Sequence, residues 1–317
     1  MATKLAALAI AAVVSIGDSF ISGEGGGDYG RSGACHRAAS APIRSAALRG
    51  AEPVNLACSG ARTRHLWPAA AGGERLRGEA PQADRLAAVA RRRAVRLVVV
   101  TAGANDVGFG RIVARCALDW ARSPAWRPRH CRGRAQAEIA AALPAMRHGL
   151  ARALRGIRTT MSSAGDSRSG YRLLVMGYSS PFPAGGSIRY PESGWSRLRE
   201  GGCPVWNADA DWALRRAVPE IDAAMRTAAR AAGAEYLDLQ HALDGHRLCD
   251  RRAAEDWVRP LRFAPWSLRE SLHPNAAGQR AIGACLALHY ARPPGDYACR
   301  ATRGGGPEGM RLERSSP

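Results

Sequence analysis

At 317 residues and a formal net charge of +19, the chain is long enough to bury one sizeable core and basic enough to attract anionic surfaces. The charge is not arranged as in a nucleic-acid reader. Lys4 is the sole lysine, the arginines are scattered, and no zinc-finger, RRM or KH signature occurs. This composition argues against specific nucleic-acid binding and leaves loose attraction to anionic membranes or polymers.

In chain order, "MATKLAALAIAAVV" opens like a signal peptide, with one lysine and then an apolar run. The apolar run continues directly into a strand, so either it is the strand itself or the precursor starts further upstream and residues 1–10 are a remnant of its signal segment. No other stretch approaches the ~18 uninterrupted apolar residues of a membrane span. Strand-like runs recur at "AAVVSI" (residues 11–16), "PVNLA" (53–57), "VRLVVVTAG" (95–103), "YRLLVMGY" (171–178) and "AEYLDL" (234–239). They are rich in β-branched residues and carry little alternation, as strands buried on both faces do.

Helical patterns lie between and after these runs. "PQADRLAAVARRR" (81–93) places Pro81 near a helix start, and residues 135–157 form a long amphipathic stretch in which Pro144 predicts a kink. Residues 207–233 end at Gly233, a suitable C-cap, and residues 275–290 close the fold. Strands alternating with helices predict an α/β domain over residues 11–292. It is expected to be a three-layer α/β/α sandwich, flavodoxin-like, around a parallel sheet of about five strands. Two insertions, residues 117–133 and 179–206, are rich in Pro, Gly, Arg and Trp, and residues 293–317 read as an irregular tail.

Cys35, Cys58, Cys116, Cys131, Cys203, Cys249, Cys285 and Cys299 include no C-x-x-C pair, which argues against a zinc ribbon or a thioredoxin-like site. An even number of widely spaced cysteines favours disulfides and an oxidising compartment. The sequence leaves their connectivity open. Sequential neighbours, Cys35–Cys58, Cys116–Cys131, Cys203–Cys249 and Cys285–Cys299, are the simplest set.

Four stretches fall where loops gather at one edge of a parallel sheet: "GDSFISGE" with Ser19, "NLACSGARTRHL" with Gly60, "TAGANDVGFG" with Asn105, and "ESLHPNAAGQ" with His273. Pro274 biases His273 away from helical angles. A hydroxyl, an imidazole and amide donors are the set that serine acyl transfer needs. At these residues the chain resembles the SGNH hydrolases, the GDSL esterase/lipase family, whose four blocks recur in order over about residues 13–290. "GDSF" stands for the commoner "GDSL". The cysteine layout, "GGCPVWNADADWA" and "GHRLCD" look like the disulfide-containing secreted actinobacterial branch.

The resemblance implies a secreted, cofactor-free and metal-free serine esterase or lipase, expected to be a monomer acting on a lipid, carbohydrate or small acyl ester. Ser19 would be the nucleophile and His273 the base. The Ser19 and Gly60 N–H groups and the Asn105 amide would form the oxyanion hole. Where the family usually has Asp three residues before the histidine, this chain has Glu270, expected to orient His273, with a backbone carbonyl as the alternative. Asp18 and Asp106 are expected to orient loops, His36 and His130 to be exposed, and Trp195, Trp206 and Trp212 to line a pocket or pack in the core. The competing reading is a non-catalytic or acyl-transferring relative that holds anionic polymer or membrane on its arginine-rich surface.

Overall fold

The structure, a computed structural model, describes residues 10–165 and 170–315. The expected N-terminal remnant therefore lies outside the described residues except for Ile10. Seven strands form one sheet: β1 (Ala11–Gly17), β2 (Ala51–Asn55), β3 (Val95–Thr101), β4 (Arg172–Met176), β5 (Glu235–His241), β6 (Tyr297–Ala301) and β7 (Met310–Arg314). Their spatial order is β2-β1-β3-β4-β5-β6-β7. Neighbours pair in parallel throughout except β6 with β7. Val13, Val14, Ile16 and the run Leu97, Val98, Val99 and Val100 have no exposed surface, as the unbroken apolar pattern of β1 and β3 requires.

Helices Gln82–Ala90, Arg132–Ser163 and Val218–Ala231 pack together as one layer, and Ala276–Tyr290 packs with Pro42–Ser45 as the other. The order 2-1-3-4-5 of the first five strands is that of doubly wound sheets. The chain leaves β1 and β3 in opposite directions there, opening a crevice at their carboxyl ends.

Two expectations, the irregular tail and the single helix over residues 207–233, are corrected. The tail is not irregular: β6 and β7 form an antiparallel hairpin on the sheet edge, and Cys285–Cys299 ties β6 to the last helix. These strands are short, charged and half-exposed, so they carry no apolar run, and pairing rather than composition makes them strands. Pro144 lies inside the continuous helix Arg132–Ser163. Residues 207–233 divide into Asn207–Trp212, a π-helical turn Ala213–Ala217, and Val218–Ala231 with Pro219 in its first turn. Proline has no N–H to donate, and the π turn lies just before it in the chain. All four disulfides join sequential cysteines.

The second insertion is organised by Arg197, which is fully buried. Its guanidinium donates to Val205 O at 2.6 Å, Tyr190 O at 2.8 Å and Asn207 Oδ1 at 3.0 Å. Burial lowers its pKa to about 10, so it stays charged at neutral pH.

Candidate active site

β1 ends at Gly17, whose φ is +141°. A Cβ there would sit 2.0 Å from Thr101 O, so only glycine lets β1 turn this close to β3. The side-chain amide of Gln82 grips the same residue from the other side. Its Oε1 accepts from the Gly17 N–H at 2.6 Å and its Nε2 donates to Gly17 O at 2.9 Å.

Asp18 follows and caps the short helix Ser19–Ser22, accepting from Phe20 N at 3.1 Å. Its second oxygen accepts from the Tyr178 hydroxyl at 2.5 Å, and that hydroxyl also accepts from Ala104 N at 3.2 Å. Tyr178 thus links the loops after β1 and β3. Burial pushes the Asp18 carboxyl from 3.8 up to about 7, while the bonds from Tyr178 and Phe20 oppose that rise. Asp106 accepts from Thr63 N and from Thr63 Oγ1, the latter at 2.8 Å, holding two loops together.

At the head of that helix, Ser19 Oγ lies 2.8 Å from His273 Nε2. The histidine loop is fixed by its backbone. His273 O accepts from Arg259 N at 2.8 Å, Leu272 takes a positive φ of +62°, and Asn275 caps the last helix through Ala277 N and Gly278 N. Burial lowers the His273 pKa below 6.5, with the charge of Glu24 and the backbone of residues 269–271 pulling the other way. A neutral imidazole at neutral pH can accept the serine proton.

Gly60 lies in the turn after β2, at φ +84°, and is exposed. The turn is held to β1 by Cys58 N donating to Gly17 O at 3.1 Å and by the Cys35–Cys58 disulfide. Asn105 Nδ2 donates to Ala61 O at 2.9 Å, which orients the amide; the same nitrogen carries a second N–H. Ser19, Asn105 and His273 line one cavity of about 120 Å³ with Phe20, Phe109 and Tyr178. Phe109, Pro181, Val218, Ile221 and Leu272 also belong to a deeper, almost wholly apolar cavity of about 50 Å³ that reaches Ile139 and Trp212.

Glu270 is not brought to His273. Its carboxylate accepts from the Tyr29 hydroxyl at 2.6 Å and lies 3.9 Å from Arg259 Nε, while His273 Nδ1 is buried without a hydrogen-bond partner. The expectation that Glu270 orients the imidazole is corrected accordingly. The carboxylate turns toward the loop after Ser19, where Tyr29 OH also receives the Gly25 N–H at 2.9 Å. His36 is corrected as well: its Nδ1 lies 2.7 Å from Glu24 Oε1, and the ring stacks on Tyr29. His130 is exposed, as expected, and stands 3.5 Å from Asp209. Trp206 is buried, Trp195 is exposed, and Trp212 lines the apolar cavity.

Sequence reasoning missed Gln82, Tyr178 and Glu24. Glu24 has no exposed surface, and its carboxylate is shared between His36 and the Ser59 hydroxyl. The acid in "SGEGGG" was the only signal for it, since nothing local tells a buried carboxylate from a solvated one.

Residues 15–281 match the GDSL-like lipase/acylhydrolase family. The chain is 27% identical over 272 residues to "Lipase 1" of Streptomyces coelicolor, covering 84% of this chain and 81% of that protein. It is 29% identical over 277 residues to a lipase of Streptomyces rimosus, with the same coverages. The crystal structure of the extracellular lipase from Streptomyces rimosus superposes with a TM-score of 0.61 at 25% identity, covering 89% of this chain and all of the other. The match spans all four loop blocks that meet at the crevice, and the chain belongs to the GDSL-like lipase/acylhydrolase family of carboxylic ester hydrolases.

Proposed function

We propose that the chain hydrolyses lipid esters through an acyl-Ser19 intermediate, with His273 as the sole side-chain base. The observation that carries this is the 2.8 Å contact between His273 Nε2 and Ser19 Oγ beside an apolar cavity. As Oγ attacks the ester carbonyl carbon, its proton passes to Nε2. The carbonyl oxygen becomes an oxyanion, received by the N–H groups of Ser19 and Gly60 and the free N–H of Asn105. Collapse breaks the bond to the alcohol oxygen, which leaves with the proton from Nε2. Water then attacks the acyl-enzyme by the same route, yielding the carboxylic acid and restoring Ser19.

In this scheme the imidazole is oriented by the backbone of its loop, so the centre is a dyad rather than a triad. The apolar cavity behind Phe109 and Leu272 suits an acyl chain, and the relatives named lipases support a lipid ester over a sugar acetate. Four disulfides and the extracellular lipase relative support secretion, and among the described residues no helix is long and apolar enough to cross a membrane.

A series of p-nitrophenyl esters of rising acyl length tests the reading. The expected kcat/KM climbs with chain length until the cavity is filled, and Ser19→Ala removes it at every length. Activity confined to the acetyl ester would overturn the lipid assignment. Unchanged turnover in Ser19→Ala would overturn the nucleophile.

A further inference from the structure

The elements that line the acyl cavity run on into three exposed segments that the proposed chemistry does not use. Helix Phe109–Ala121 continues into a loop carrying Trp126, 82% exposed. The second insertion carries Trp195, 58% exposed, and the segment just before the His273 loop carries Phe263, also 58% exposed. These segments adjoin. Trp195 packs edge-on against Trp120 at 6.4 Å, and together with Pro124 and Ala125 they border one cleft. Arg262 Nη1 donates to Arg199 O at 3.2 Å, bringing Phe263 beside the Trp195 segment.

The aromatics are not loosely placed. Cys116–Cys131 closes the first loop on itself, Cys203–Cys249 ties down the second, and Trp120 Nε1 donates to Glu192 O at 3.1 Å. Stapled loops that hold large aromatic side chains in water mark an interaction surface. The charge around them says with what. Arg122, Arg127, Arg129, Arg199, Arg262 and Arg269 are all exposed on the same segments. Of the acids there, Glu192 accepts from Asn207 N and Glu270 from Tyr29, leaving Asp119 and Glu200. Tryptophan with arginine is the pair that settles at a bilayer's polar–apolar boundary, the ring at headgroup depth and the guanidinium on lipid phosphate.

From this placement we infer that Trp126, Trp195 and Phe263, rimmed by these arginines, dock the protein on an anionic lipid bilayer and bring its acyl cavity to the membrane surface. The inference rests on the lipid-ester reading for its purpose, but binding is measured without turnover. The full chain is sedimented with vesicles of phosphatidylcholine alone and with vesicles containing phosphatidylglycerol, at ~0.1 M salt, where exposed charges are only partly screened. Ser19→Ala is run beside the wild type.

Both proteins should sediment with the anionic vesicles and largely fail to with the neutral ones. Trp126→Ala combined with Phe263→Ala should weaken binding by about tenfold or more, as expected when interfacial anchors are removed. Arg122→Gln, Arg127→Gln and Arg129→Gln together should weaken it and reduce its salt dependence. All these variants should keep the wild-type rate on soluble p-nitrophenyl acetate, which reports an intact fold and site. Failure of the wild type to bind anionic vesicles would overturn the inference, as would equal binding to neutral ones. Loss of binding in the arginine variant with none in the aromatic variant would do the same, pointing to a soluble acidic polymer instead. Loss of hydrolysis is read separately, so a failed nucleophile assignment leaves the vesicle result standing.

Discussion

The two halves of the proposed dyad are held by different means. Ser19 sits on a turn secured from several directions: Gln82 grips Gly17, Tyr178 and Phe20 hold Asp18, and Cys58 bonds back to Gly17 O. His273 is held by main-chain bonds to Arg259 and by the capped helix behind it, and its Nδ1 has no side-chain partner. Losing one support should leave Ser19 in place, whereas the imidazole depends on the course of its own loop. Among the side chains, the Glu24 carboxylate, on the serine side, opposes the lowering of the His273 pKa by burial.

Ser19→Ala should break the comparison outright, reducing kcat by roughly 10⁴ or more, as nucleophile removal does in serine hydrolases. A serine-reactive phosphonate should label the wild type at Ser19 alone, and labelling elsewhere would refute the assignment. Asn105→Ala should cost roughly 10²–10³ in kcat with KM little moved, because its N–H acts on charge that develops in the transition state. An effect confined to KM would make Asn105 a binding or structural residue.

Glu270→Gln sharpens the contrast. With the carboxylate on Tyr29 and not on His273, kcat should fall by less than about tenfold, or ~1.4 kcal/mol of barrier, at every pH from about 6 to 9. A loss near 10⁴, as when a triad acid is replaced by its amide, would restore the triad.

The pH profile probes the same question. Burial lowers the His273 pKa, so the acid limb of kcat/KM should lie below the ordinary histidine value of 6.5. The Glu24 charge raises that pKa, so Glu24→Gln should move the limb to still lower pH. An unmoved limb would remove Glu24 from the electrostatics of the site.

The smallest expected effect is on stability. Burial raises the Asp222 carboxyl to about 8; one oxygen accepts from Tyr178 N at 2.9 Å and the other is buried without a partner. A carboxyl whose pKa rises on folding binds a proton more tightly in the folded state. Its favourable contribution is therefore present at low pH and is lost as pH climbs from about 4 through 8. Asp222→Asn keeps the bond to Tyr178 and cannot ionise, so Tm should fall less between pH 5 and about 9 than in the wild type. Parallel Tm curves for the two proteins would contradict this.

Much of the candidate site was legible through the resemblance to a known family, and its residues also carry backbone signals. Gly17 and Gly60 announce positive-φ turns, Asn105 follows a strand that is unmistakably buried, and Pro274 keeps His273 out of the helix. β1 and β3 were equally plain, since strands covered on both faces need unbroken β-branched runs. Glu270 misled because spacing from a histidine says how far a carboxylate lies along the chain and not which way its side chain turns. Tyr29, more than two hundred residues away, decides that.

The sequence by itself determined the alternating strands and helices, through local backbone preference and apolar periodicity. Its four loop blocks were legible by their resemblance to a known family, and its cysteine count favoured an oxidising compartment. Only the tertiary structure decided that β6 and β7 extend the sheet, that Gln82 and Tyr178 brace the serine turn, and that Glu270 turns to Tyr29 while Glu24 is buried between His36 and Ser59. It also decided that Trp126, Trp195 and Phe263 face solvent beside a rim of arginines. The physical reason is common to all of these: pairing, burial and electrostatic influence depend on distances between residues far apart in the chain, and folding alone sets those distances.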